Sequence, residues 1–446
     1  MGGGLLQLVA YGAQDAYLSG NPQITFWKSM FKRHTNFAME PFRVNFNGQA
    51  SWGTKHSAIL GRHADLLYTT YLEVVLPSTI DGGSLPAGKN NVFNNDQSRL
   101  GYNLIRYVEL DIGGQVIDRQ YGEWMYLWDA LTSDAPQQDK FLQMVGAGAA
   151  SGAYTPDDVN QCSAGSGRPA LPKVLYVPLF FFYTRNPGAA LPLIALQYHE
   201  VKITLQWNDA PVIAGNFNNA SGLMQPVQAA IYVDYIYLDT EERRRMAQQS
   251  HEYLIEQTQF NEDKGISSYS NRIDLTFNHP VKELVWVVQP SYYTNCSLAK
   301  KKGITILQPF TYDGSNAGSP TTPSFTAVYE QWIQFNGQDR LDKRYGDYFC
   351  KPQQSQHHTG FGYTVSGVEN KQPNIYMYSF AIRPEEHQPS GTCNFSRIDT
   401  ATIVVQMSGG AVINSDTDDT WDIRVYAVNY NILRIMSGMG GLAYSN

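Results

Sequence analysis

Gly114-Gln115-Val116-Ile117-Asp118-Arg119-Gln120-Tyr121-Gly122-Glu123-Trp124 returns half a chain later as Gly337-Gln338-Asp339-Arg340-Leu341-Asp342-Lys343-Arg344-Tyr345-Gly346-Asp347-Tyr348. In each copy a Gly-Gln pair leads to Asp-Arg and then to Tyr-Gly-acid-aromatic, at an offset of ~223 residues in a chain of 446. An apolar run, 105–112 or 327–335, precedes each pair. Glycine reaches positive φ without steric cost, so both copies predict a tight turn after a strand. Working outward, Leu175-Tyr176 and Phe180 match Ile375-Tyr376 and Phe380. Val201, Ile203, Leu205 and Gln206 match Ala401, Ile403, Val405 and Gln406. Val233-Asp234-Tyr235 with Leu238 matches Val428-Asn429-Tyr430 with Leu433. The offset drifts to ~200 and ~195 because the first half carries a long polar segment, 132–172, that the second lacks at that place. Matches in one order along two halves imply an internal duplication.

A repeat of ~200 residues is too long for a solenoid unit and suits an eight-stranded antiparallel jelly roll. The expected fold is therefore all-β: two consecutive jelly rolls with few short helices. Composition agrees, with 29 Tyr, 20 Phe and 8 Trp against 16% charged residues. Aromatic and β-branched residues favour a pleated surface. Expected strands are 42–46, 66–76, 105–112, 174–183, 201–207 and 231–238, then 272–277, 284–288, 327–335, 375–382, 401–407 and 423–428, most of them bounded by Gly, Pro, Asn or Asp. Helices are expected only near 5–9 and 121–131. The domain reading is an N-terminal arm at 1–25, jelly roll 1 at 26–239, a linker at 240–250 and jelly roll 2 at 251–446.

The net charge of −7 argues against a coat for nucleic acid, whose binding needs clustered Lys and Arg. The one dense basic run, Arg243-Arg244-Arg245, follows Glu241-Glu242 and reads as a solvated turn or helix end. Four widely separated cysteines, Cys162, Cys296, Cys350 and Cys393, lack zinc-ligand spacing and suggest reduced thiols. No segment approaches the ~18 apolar residues of a membrane helix. The first residues lack the basic region of a signal peptide, and Leu6 stands where a myristoylation site needs Ser or Thr.

No residues group as a catalytic, cofactor or metal site. His357-His358 has no Cys or acid at ligand spacing. His387 follows Glu385-Glu386 in a Pro/Ser/Gly-bounded run that reads as a turn with local hydrogen bonds. Asp118-Arg119 and Asp339-Arg340 recur in both halves and read as structural ion pairs beside the turns. Gly146, Gly148 and Gly152 lack the following Gly-Lys-Ser/Thr of a phosphate loop. Glycosylation sequons occur at Asn219, Asn295 and Asn394, with Asn219 in a polar loop the most exposed candidate.

The stretches Leu8-Val9-Ala10-Tyr11-Gly12-Ala13-Gln14-Asp15, Gly20-Asn21-Pro22-Gln23-Ile24-Thr25-Phe26 and Arg33-His34-Thr35-Asn36-Phe37 carry a family resemblance. So do Leu191-Pro192-Leu193-Ile194-Ala195-Leu196-Gln197-Tyr198-His199-Glu200-Val201, the run Pro384 to Asp399, and the closing Asn429-Tyr430-Asn431, Leu433-Arg434-Ile435-Met436-Ser437-Gly438 and Leu442-Ala443-Tyr444-Ser445-Asn446. Over nearly its whole length the chain resembles the double jelly-roll major capsid proteins of nucleocytoplasmic large DNA viruses, most closely the algal and amoebal forms. The resemblance implies a non-enzymatic protein, assembled as a homotrimer into pseudo-hexagonal capsomers of an icosahedral shell. It implies neighbouring capsomers as partners, with minor capsid proteins and an inner membrane beneath, no direct nucleic acid contact, no cofactor, and assembly in the host cytoplasm. The alternative is a lectin-like or carbohydrate-active β-sandwich with a Trp/Tyr sugar platform. A glycosidase would need two carboxylates facing across a cleft.

Overall fold

The computed structural model describes residues 3–24, 26–27, 31–75, 100–133, 141, 144–146, 174–209, 228–295, 297–298, 309–310, 312, 327–360, 374–408 and 420–444. Met1–Phe37 forms one compact unit and Ala38–Asn446 another. In the first, helices Gly3–Val9 and Asp15–Ser19 expose every side chain, and the Gly12 amide donates to Asp15 Oδ2 at 2.7 Å.

The larger unit holds four antiparallel sheets. Its strands are β1 (Phe37–Asn45), β2 (Lys55–Leu60), β3 (Leu66–Val75), β4 (Ile105–Ile112), β5 (Gln115–Tyr121), β6 (Val174–Pro178), β7 (Leu191–Pro192), β8 (Val201–Trp207) and β9 (Gln228–Leu238). The second half adds β10 (His251–Ile266), β11 (Ser270–Leu275), β12 (Pro280–Pro290), β13 (Val328–Phe335), β14 (Gln338–Asp339), β15 (Arg344–Tyr345), β16 (Ile375–Ser379), β17 (Cys393–Asn394), β18 (Ala401–Met407), β19 (Trp421–Met436) and β20 (Met439–Leu442).

The first half pairs in the orders β1-β9-β3-β6 and β2-β8-β4-β5; the second in the orders β10-β19-β12-β16 and β11-β18-β13-β14. Each half is thus the same eight-stranded sandwich. The duplication extends to register. Val108 faces Leu205 and Gln331 faces Val405, and both ladders carry a bulge at the start of the strand, between Ile105 and Tyr107 and between Val328 and Glu330. Both Gly-Gln turns join equivalent strands, β4 to β5 and β13 to β14. The central pairs Gly113-Gly114 and Asn336-Gly337 all have positive φ, as a two-residue hairpin turn requires.

The two outer matches are one residue out of phase. Leu175 and Val233 point into the first core, whereas Ile375 and Val428, their partners in the sequence match, point out of the second. A one-residue slip exchanges the faces of a strand. Three further differences have local causes. The expected strand 174–183 ends at Pro178, which cannot donate to a ladder, and Phe182–Arg185 turns into a helix. Strands β2, β5 and β10, and the short β7, β14, β15, β17 and β20, have no counterpart among the expected ones. The segment 240–250 holds a helix, Thr240–Gln248, with Arg243 reaching back to Asp65 at 2.7 Å.

Core placement separates the halves. The second sandwich encloses its own cluster around Trp286, Ile333, Val405 and Val425. The outer face of its β10-β19-β12-β16 sheet, with Val285, Val287, Tyr426 and Val428, belongs to the first half's cluster. That sheet is buried on both sides, and the first sandwich covers its outer side.

Candidate functional site: the junction between the two sandwiches

Strand alternation sends neighbouring residues of β5 to opposite faces. Arg119 turns outward to Glu109 at 2.8 Å, and Lys55 reaches the same carboxylate at 2.9 Å. Asp118 turns inward, where it is buried and accepts from the Thr258 amide of β10 at 3.2 Å and from Gln120 at 3.0 Å. The expected Asp118–Arg119 ion pair therefore does not form. Asp339 likewise accepts from Gln334 at 2.7 Å and not from Arg340. Burial raises the Asp118 carboxyl to about 6, against lowering by its hydrogen bonds. Beside it Gln257 donates to the Ile117 carbonyl.

After β5 the chain enters the helix Gly122–Thr132, the one expected near 121–131. Gly122 permits that turn: a Cβ there would lie 2.2 Å from the Ile105 carbonyl oxygen. Glu123, in the first turn, then meets Arg424 of β19. Nε donates to Oε2 at 2.6 Å and Nη2 to Oε1 at 2.7 Å. Tyr426 donates to the same carboxylate at 2.7 Å and Tyr312 at 3.0 Å. Such a bidentate, charge-assisted pair is the strong form of the interaction. Burial opposes the Arg424 charge, but the adjacent Glu123 outweighs it and raises the pKa. Burial and then Glu123 raise both phenols well above their ordinary value. Trp124 packs 5.4 Å from the Tyr426 ring and Tyr121 4.5 Å from Phe260.

A second cluster centres on Glu256 of β10. Arg185 pairs with it at 2.6 Å and the fully buried Lys282 at 2.8 Å. Burial would raise the Glu256 pKa, but Lys282 and Arg185 bring it below the usual range. Both cations also lie over the Trp128 ring, at 4.2 Å and 5.8 Å.

The third cluster holds a histidine noted in the sequence. His358 is buried between Glu283 at 3.0 Å (Nε2) and Glu385 at 2.9 Å (Nδ1), with the Trp128 ring edge-on at 6.2 Å. Burial works against its charge, yet the two carboxylates push its pKa up to about 9. The adjoining Gly360 amide donates to the Leu131 carbonyl at 2.7 Å, docking this segment on the end of the first half's helix. Sequence spacing missed this arrangement because the carboxylates come from distant strands and turns. A readable signal did exist for Arg424, a charge inside the apolar run Ile423-Arg424-Val425.

At the far edge the β19–β20 hairpin clasps the first sandwich. Tyr198 donates from its amide to the Gly438 carbonyl at 3.0 Å, and Leu442 from its amide to Gln115 Oε1 at 3.3 Å.

The other sequence sites scatter. Asn219 lies outside the described residues. Asn295 and Asn394 are exposed and accept from the backbone amides of Ser297 and Ser396. His387 is half-buried, and the local hydrogen bonds of its turn run through Arg383 and Ser390. Among the described residues no group of three or more His, Cys, Asp or Glu is placed to hold a metal ion, and no helix is long and apolar enough to cross a membrane. Glu123 and Glu256 are engaged by cations and phenols, Asp118 by amides, and Glu283 and Glu385 by His358, so the arrangement holds geometry.

Two equivalent sandwiches in tandem, locked by a buried ionic and aromatic junction, define a double jelly-roll structural protein. Residues 25–239 match the family described as major capsid protein N-terminus, and residues 242–441 the large eukaryotic DNA virus major capsid protein. The major capsid proteins of Pyramimonas orientalis virus and Phaeocystis pouchetii virus are 44% and 43% identical, each match covering 100% of both chains. That of Paramecium bursaria Chlorella virus 1 is 40% identical over 100% of both. Among solved structures, PBCV-1 VP54 superposes with a TM-score of 0.71 at 34% identity, covering 95% of this chain and 100% of that one. The chain belongs to the major capsid protein family of large eukaryotic DNA viruses: it is a structural component of the virion shell, not an enzyme.

Proposed function

We propose that three copies of this chain form one pseudo-hexagonal capsomer, and that such capsomers tile the facets of an icosahedral shell. The single observation that supports this reading is that one compact unit carries two sandwiches of identical strand order. Three such chains around a threefold axis present six similar lobes, and a closed ring can reuse one kind of contact. The division into arm 1–25, jelly roll 1 at 26–239, linker 240–250 and jelly roll 2 at 251–446 is part of the same proposal.

The arm exposes Leu5, Leu6, Leu8, Val9, Tyr17 and Leu18. An apolar segment of this kind suits a strap that becomes ordered against minor capsid proteins or the inner membrane under the shell. Neighbouring capsomers are the remaining partners, and nucleic acid is not one. Assembly in the host cytoplasm, expression late in infection and a glycan at Asn219 complete the proposal. Light scattering of the purified protein should give three times the chain mass, and electron microscopy six-lobed particles. A monomer at every concentration would refute the trimer.

A further inference from the structure

The junction inside the chain joins unlike surfaces. One is the β5 edge with the helix after it. The other is the outer face of the next sandwich's β10-β19-β12-β16 sheet. Duplication supplies a second copy of each. Met246 packs on one end of the second face, at Leu66, Tyr68, Ile236 and Leu238, and the tyrosine-rich other end stays half-exposed. The equivalent edge is β14 and β15 with the helices Gly346–Cys350 and Pro352–His357. There Tyr345 is 62% exposed, and Ile382, on the turn beyond β16, 72%. Their counterparts on the first sandwich, Tyr121 and Phe182, are half-buried and buried. The equivalent face is the outer side of β1-β9-β3-β6. It carries Tyr71, Tyr232 and a 41% exposed Tyr176, with Glu73 and Asp234 among them and Arg43 on the edge strand.

We propose that the outer face of β1-β9-β3-β6 is the docking surface for the β14–β15 edge of a second copy of this chain. This deepens the trimer reading and rests on it. A contact between unlike surfaces, repeated by one rotation, generates a ring. The junction within the chain is one such step, and the proposed contact is the next. The side-chain chemistry supports the pairing. Arg340, Lys343 and Arg344 lead the edge, with Asp342 among them, and the receiving face presents Glu73 and Asp234. Opposed charges over a tyrosine-rich patch are the composition expected of a subunit interface. Burial marks the difference between the two edges. Glu123 is consumed within the chain by Arg424, whereas its counterpart Asp347 is exposed and its carboxylate, among the described residues, meets Lys351 at 2.8 Å.

The test uses the full chain, mixed as normal and 15N-labelled protein, with a carbodiimide that joins amines to carboxylates. Mixed-isotope peptides linking Lys343 or Lys351 to Glu73 or Asp234 are expected. The double variant K343E/R344E should weaken the trimer about tenfold or more by light scattering, and adding E73R should restore part of the loss. A trimeric protein lacking those mixed cross-links, with K343E/R344E at full trimer strength, would overturn the surface and leave the trimer standing. A chain that is never trimeric would overturn both.

Discussion

Tyr121-Gly122-Glu123 and Tyr345-Gly346-Asp347 occupy the same point in the two sandwiches and end differently. Both glycines sit against the carbonyl oxygen of the first residue of a neighbouring strand, Ile105 or Val328, at 2.2 Å and 2.5 Å from where a Cβ would be. Beyond them the first copy runs into a helix of 11 residues, nine of them buried, and the second into one of 5 that buries Gly346, Phe349 and Cys350 and leaves Asp347 exposed. Glu123 is bound by Arg424, Tyr426 and Tyr312. Asp347 is bound by a lysine one turn away in solvent. The backbone requirement belongs to the jelly roll and is shared. The side-chain chemistry belongs to whatever covers the turn, and among the described residues the other sandwich supplies that cover to Glu123 and none to the carboxylate of Asp347.

That contrast predicts unequal costs for equivalent changes. Arg424→Ala leaves Glu123 buried without its cation and should destabilise the chain by about 3–5 kcal/mol. Lys351→Ala removes an exposed pair and should cost less than ~0.5 kcal/mol. Urea denaturation of both variants measures the gap. Equal losses would mean that the junction is not the stronger of the two.

The pH dependence of the junction comes next. The folded-state pKa of His358, about 9, lies above its ordinary 6.5. Its contribution is therefore complete below pH 6.5 and is lost as pH rises through 9, on the order of 3 kcal/mol in total. Glu385 has the opposite sense. Burial would raise it, but His358 and the Thr359 amide bring it below 4.5, so its contribution is present above that value and lost in acid. The groups facing His358 are Glu283, Glu385 and Trp128. The urea midpoint should fall between pH 6.5 and 9 in the native chain, and His358→Gln should flatten that limb.

The last prediction tests what the two turns share. Gly122→Ala and Gly346→Ala should each cost about 1–3 kcal/mol, because the methyl group meets a backbone carbonyl. Gly114→Ala and Gly337→Ala meet open space, so only their positive φ matters, at about 1 kcal/mol. Thermal unfolding of the four variants should order them as two matched pairs.

Strands with one apolar face were legible at once: 105–112, 201–207 and 401–407 coincide with β4, β8 and β18. Strand β10 was not. Its Glu256-Gln257-Thr258 is buried, yet reads as polar and therefore as loop. Each of these residues is satisfied by a group from the other sandwich: Arg185, the Ile117 carbonyl and Asp118. A polar run can be interior only when its partners are known, and they lie far away in the chain. His358 was illegible for the same reason.

The sequence by itself determined the duplication, the two glycine turns and the inner strands β4, β8, β13 and β18. Period-2 alternation reports a face when one side is apolar and the other is not. Only the tertiary structure decided the faces of β16 and β19, where the sequence match slipped by one residue. In Trp421–Met436 nearly every residue is buried, because one side fills the second core and the other meets the first sandwich. A strand buried on both sides carries no alternation to read. Its register comes from the partners that cover it.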